Sequence, residues 1–191
     1  MNTRFNCAVR VLVMLVLCPV LATAGQRASS DQETGPTGIA CKDAATAMKQ
    51  ARFALSVGDV RLRDGKACIP TGIENSRCEW DVKLMRVEKW GTDGPLLAIV
   101  TATHDGPGSW DSVFFYTCRN GVLAQVHARR YLYGARISQT SSSELVITSG
   151  QWQKGDGMCC PSQERREYLV WDESARKVVL RRTQIRGWPM P

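Results

Sequence analysis

From Gly58 onward the apolar residues of this chain recur at every second position, in runs punctuated by Gly, Asn and Asp. That period is the side-chain alternation of a β-strand, and it excludes an all-helical fold. Val60 and Leu62 alternate with charged residues before Asp64-Gly65, and Cys78, Trp80, Val82 and Leu84 alternate with Glu79, Asp81 and Lys83. One buried and one wet parity is the signature of an antiparallel sheet. The alternation drifts at Met85 to Val87, which predicts a bulge. Leu96 to Ala102 (LLAIVTA) is apolar on both parities, as in a strand covered on both faces. WDSVFFYTC and VLAQVHARRYLY flank Arg119-Asn120-Gly121, and an Asn-Gly turn between apolar runs is a strong hairpin signal. A strand is expected over Glu144 to Trp152, then a hairpin pairing Arg166 to Trp171 with Lys177 to Ile185.

Before Gly58 the pattern changes. Asp43 to Val57 (DAATAMKQARFALSV) has Asp43 as an N-cap candidate, Ala44, Met48, Ala51 and Leu55 on one helical face, and Gly58 as a stop. Residues 25–40 are mostly polar and read as a flexible lead-in. The expected fold is therefore α+β and mainly β. One N-terminal helix packs on a curved antiparallel meander, in a single disulfide-stabilised domain over residues 41–191. With 43% hydrophobic and 23% charged residues, the 191-residue chain can fill one core and is too polar for a multi-span membrane protein.

The first 24 residues have the three parts of an export signal. Arg4 and Arg10 precede an apolar run from Val11 to Leu21, and Ala22-Thr23-Ala24 supplies a small-x-small cleavage site. The run is about half of the roughly 20 residues a membrane span needs, so no transmembrane span is expected after cleavage. The expected location is the periplasm or the exterior. Loss of the two arginines lowers the formal net charge from +7 to +5. That balance suits an anionic envelope component or an acidic protein partner, and no nucleic-acid-binding motif accompanies it.

Six cysteines follow the leader: Cys41, Cys68, Cys78, Cys118, Cys159 and Cys160. An even count in an oxidising compartment predicts disulfides, and six allow 15 complete pairings. Cys68 and Cys78 form the best local pair. Cys159 and Cys160, being adjacent, are expected to reach two different partners, for which Cys118 and Cys41 are the candidates.

The most distinctive segment is Gly155-Asp156-Gly157-Met158-Cys159-Cys160-Pro161-Ser162, between ELVITSGQW and REYLVW. It resembles uncharacterised exported bacterial proteins in which a Gly-Asp-x-x-Cys-Cys-Pro-Ser loop joins two late strands. The likeness extends over Leu96 to Leu180, mostly as a strand pattern. It implies an exported domain and carries no activity with it.

Residue types that carry chemistry are sparse. His104, Asp105 and Ser109 are the types of a hydrolase triad, but GPGSW is no Gly-x-Ser-x-Gly elbow. Asp105 and Asp111 lack regular calcium-ligand spacing, and His104 and His127 lack zinc spacing. Glu79, Asp81 and Glu88 read as acids on a wet strand face. Cys159-Cys160 is not the Cys-x-x-Cys of a thioredoxin-like site, although exposed disulfides are the labile ones. No cofactor or metal is expected. A binding surface is the leading expectation, with Trp188, Arg181, Arg182, Arg186 and Trp110 as its residues, because Arg and Trp are enriched at interface hot spots. Trp90 and Trp152 also lie near expected strand ends, and the competing reading places Trp80, Trp152 and Trp171 in the core. The function expected is that of an exported, non-enzymatic envelope protein binding a protein or an anionic component, of which an inhibitor or immunity-type protein is one form. The alternative is a small hydrolase or thiol-redox protein using His104/Asp105 or the Cys159-Cys160 loop.

Overall fold

A computed structural model of the chain describes residues 36–70, 78–104, 108–157 and 160–187. They lie in a compact unit spanning Asp31–Pro191. The Asn120-Gly121 hairpin is its centre. Both turn residues have positive φ, 52° and 79°, which matches the twist of the flanking strands β7 (Ser109–Arg119) and β8 (Val122–Gln139). Asp64-Gly65, with φ of 51° and 75°, makes a similar reversal before β4 (Lys66–Pro70).

The strands pair as a meander. β4, β5 (Cys78–Lys89), β6 (Leu96–His104), β7, β8, β9 (Glu144–Gln151), β10 (Gln163–Asp172) and β11 (Lys177–Gly187) lie side by side in chain order, each antiparallel to the next. The register between β5 and β6 slips between Leu84 and Arg86, which places the bulge at Met85 where the alternation drifts. A second irregularity lies in β8. Tyr131 and Gly134 have positive φ, and the pairing shifts against β7 on one side and β9 on the other. β8 therefore pairs with β7 from Val122 to Tyr133 and with β9 from Tyr133 to Gln139.

The N-terminal region departs from expectation. The α-helix α1 covers only Ala44–Met48, and Asp43 makes no side-chain cap. The chain then pairs β2 (Arg52–Leu55) with β3 (Gly58–Arg61). Ala44 and Met48 are buried as the helical face requires, but Phe53 and Leu55 are buried at a spacing of two. Ala51 and Leu55 suit a helical face while Phe53 and Leu55 suit a strand, and packing of Phe53 on Phe114, 5.2 Å between ring centroids, favours the strand. The last five residues of the expected lead-in also form a strand, β1 (Pro36–Ala40), which pairs with β8.

Both faces of the central strands are buried, as LLAIVTA predicts. On one face Val82, Ala98, Val100, Ala102, Phe114 and Tyr116 pack against Met48, Phe53, Leu55, Val60 and Leu62. On the other, Leu97, Ile99, Val113 and Phe115 join Trp90, Leu132, Leu145, Ile147, Leu169 and Val178. Each fully buried large side chain contributes roughly 1.5–3 kcal/mol. Trp90, expected at an accessible strand end, is only 1% exposed and sits in this second core, 5.9 Å from Phe115. Turns from separate hairpins also meet: Gly91 lies against Ser142, and Arg176 donates to the Cys118 carbonyl.

Two disulfides pin the ends of this arrangement. Cys68–Cys78 staples edge strand β4 to β5, as the local spacing suggests. Cys41–Cys118 ties the N-terminal segment to the β7–β8 hairpin, with Cα atoms 5.9 Å apart. That bond removes both cysteines expected to receive Cys159 and Cys160. The reason is β1: pairing with the start of β8 delivers Cys41 to the hairpin end, where its amide donates to the Gly121 carbonyl. Cys160 is also disulfide-bonded; Cys159 lies outside the described residues. Among the described residues no helix is long and apolar enough to cross a membrane.

Candidate functional site

Directly opposed residues of an antiparallel pair share a face, so the registers locate a surface. One cross-strand row runs Trp110, Tyr133, Gly150, Glu164, Arg186. The next runs Arg136, Thr148, Arg166, Gln184, and the third Ser138, Val146, Tyr168, Arg182. This is the face that the N-terminal elements cover over β5 to β7. Over β9 and β10 it carries no member of either apolar core, since the core residues there, Leu145, Ile147 and Leu169, have the opposite parity.

The three rows hold four arginines and one acid. Glu164 is buried, accepting from Arg136 at 2.9 Å and Arg166 at 2.5 Å. The Arg136 side chain nevertheless remains 68% exposed and Arg166 36%. Arg182 lies over the Tyr168 ring, 3.8 Å from its centroid, while the Tyr168 hydroxyl donates to Gln184. A planar guanidinium stacked on an aromatic loses little freedom when it takes up a ligand. Arg182 and Arg186, four residues apart on one strand, are separated by about 13 Å. Glu144, in the row beyond Val146, is held by Thr140 and ends the basic patch.

An aromatic margin borders the patch. Trp110 stacks on Trp152 with centroids 5.3 Å apart, and Tyr133 meets both edge-on, at 5.9 Å and 4.7 Å. All three are half-buried. The Gly-Asp-Gly loop holds this margin. Asp156 accepts from the Gln153 amide, the Ser162 amide and the Ser162 hydroxyl, and these bonds depress its pKa below the usual aspartate value. The Trp152 indole donates to the Gly157 carbonyl. Gly150 must lack a side chain, because a Cβ there would come within 2.5 Å of Pro161 and 3.1 Å of Tyr133. The Asp, Pro and Ser of the distinctive segment thus each have a part in seating the loop.

Of the binding residues expected from sequence, Arg182, Arg186 and Trp110 fall on this face. Arg181 does not belong to the rows: the register slips between Tyr168 and Leu169, leaving Arg181 as the extra residue of a β11 bulge. Trp188 lies outside the described residues. Arg136, Arg166, Tyr133 and Tyr168 were not foreseen. Their period-two placement was visible, but which strands lie beside each other was not.

The alternative chemistry is not brought together. His104 is exposed and packs edge-on against Trp80 at 4.8 Å. His104 is opposed to Trp80, and Ser109 to Thr103, so His104 and Ser109 project from opposite faces. Asp105 lies outside the described residues. Asp111, on the face opposite His104, is buried and accepts from the Thr101 hydroxyl at 2.5 Å and the Ala135 amide at 2.6 Å. Asp81 pairs with Lys83, and Glu88 with Arg86. Among the described residues no His, Cys, Asp and Glu side chains cluster as a metal site. The buried carboxylate of Glu167 is taken by Arg129 and Arg165. No known family model, curated protein or solved structure matches the chain.

Proposed function

We propose that this protein is an exported, non-enzymatic binding domain that holds an anionic envelope polymer on the face of β8 to β11. The observation that carries the reading is the cross-strand set Arg136, Arg166, Arg182 and Arg186, bordered by Trp110, Tyr133 and Trp152. Arginine forks suit carboxylate and phosphate oxygens, and half-exposed rings offer flat surfaces to sugar units between the charges. A protein partner would be better served by an exposed apolar centre. The one aliphatic side chain within the three rows, Val146, is buried.

The compartment reading rests on the disulfides, which persist in oxidising surroundings, together with the leader ending at Ala24 and the likeness to exported bacterial proteins. The sheet coils about its second core, a reading supported by the approach of Gly91 to Ser142. That coiling turns the arginine face outward.

Retention on immobilised heparin, used as a generic anionic polysaccharide, tests the proposal. The wild-type protein is expected to elute at a salt concentration well above that of an Arg182→Glu/Arg186→Glu variant. The control is Arg52→Glu/Arg61→Glu, which removes the same charge from β2 and β3. Equal loss in both pairs would mean that net charge, not this face, governs binding.

A further inference from the structure

At the opposite end of the sheet, where β7 gives way to β8 and β10 to β11, lies a cleft of about 600 Å³. We propose that it binds a small neutral molecule with an apolar body and one hydroxyl or carbonyl group. This inference does not depend on the arginine face. The volume falls in the range of small-molecule sites. Leu96, Tyr116, Leu123 and Trp171 provide apolar wall, and the Cys41–Cys118 bridge fixes one side.

The pointer to a ligand is Thr117. It lines the cleft, is 5% exposed, and its hydroxyl has no hydrogen-bond partner in the protein. The indole N–H of Trp171, in the same wall, is likewise buried and unpartnered. Native structures leave few such groups without a role. The Thr117 oxygen is inaccessible while the cleft is empty, so binding as proposed turns the hydroxyl toward the cleft by a change of χ1 rotamer, to meet a ligand oxygen there. Lys89 and Arg176 at the mouth are balanced by Asp93 and Glu173, so the lining has no charge preference. That balance is why the expected ligand is neutral.

The probes are p-cresol and toluene, which share a ring and differ by one hydroxyl, titrated into a protein of residues 25–191. Binding is followed by NMR of the Leu96 and Leu123 methyls and the Trp171 indole. p-Cresol is expected to bind about fivefold more tightly than toluene, the worth of one hydrogen bond. Thr117→Val should abolish that preference and leave toluene binding unchanged, while Leu123→Trp should block both probes. Wild-type protein that binds neither probe, or both equally, overturns the proposal. So does a folded Thr117→Val variant that retains the preference. The heparin retention of these variants is expected to be unaltered, so loss of cleft binding is distinguishable from failure of the arginine face.

Discussion

Single residues set the chemical character of this molecule through what their polar atoms touch. Asp111 has both carboxylate oxygens engaged, and burial pushes its pKa above the usual aspartate range against the opposing pull of Thr101 and Ala135. A pKa raised in the folded state means that the native protein holds the proton more tightly than the unfolded chain. Its contribution is full below the ordinary aspartate pKa and is lost as pH rises through the folded value. Asp111→Asn reproduces the protonated form, with its amide donating to Thr101 and its carbonyl accepting from Ala135. Thermal unfolding between pH 4 and pH 8 should show the Asn variant at least as stable as wild type at pH 8, with a weaker decline over that interval. Asp111→Ala should instead cost roughly 1–3 kcal/mol for each buried group left unpaired. Asp156 has the opposite sign. Its depressed pKa gives support that is present above the ordinary aspartate value and lost as pH falls through the folded one. The fluorescence of Trp152, whose indole is bonded to this loop, should therefore change on acidification in wild type. In Ser162→Ala, which loses one of the three bonds, the change should come at higher pH.

Elements show how much of the fold was legible and where it was not. β6 and the β7–β8 hairpin were readable because a double-sided apolar run and an Asn-Gly turn are local signals. The bulge at Met85 was readable from a break in alternation. The helix was overextended because Ala51 and Leu55 satisfy a helical face, while the competing strand depends on Phe114, over 60 residues away. The pairing of Cys41 with Cys118 was hidden for the same reason, since β1 reaches the hairpin through pairing with a distant strand. Cross-linking lowers the entropy of the unfolded chain more for longer loops. By that relation the Cys41–Cys118 bridge, spanning 77 residues, contributes about 4.5 kcal/mol and the 10-residue Cys68–Cys78 bridge about 2.7 kcal/mol. Denaturant titration of the two double-serine variants should place Cys41→Ser/Cys118→Ser lower in midpoint. An equal or reversed order would contradict an N-terminal cover held on by that bridge. At the other core, Gly94→Ala would bring a Cβ within 1.9 Å of the Trp90 carbonyl, so this variant should be among the least stable of single substitutions in the β5–β6 turn.

For the whole molecule, the sheet divides its labour by face and by position. One face carries the second apolar core from β6 to β11, with the Arg129–Glu167–Arg165 group beside it, while the other is covered over β5 to β7 and basic over β8 to β11. The sequence carried the arginines and tryptophans in plain view, and Arg182, Arg186 and Trp110 were identifiable from it. Register decided which of them converge, and a one-residue slip at Tyr168 is enough to exclude Arg181 from the rows. The central claim is that Arg136, Arg166, Arg182 and Arg186 form one anion-binding face. The most direct test is a backbone-amide NMR titration of residues 25–191 with a short heparin oligosaccharide. The account predicts saturable shifts concentrated on alternate residues of β8 to β11, with Trp110 and Trp152 indole signals moving at the same concentrations. Shifts confined to β2, β3 and β4, or spread evenly over every exposed Lys and Arg, would contradict it.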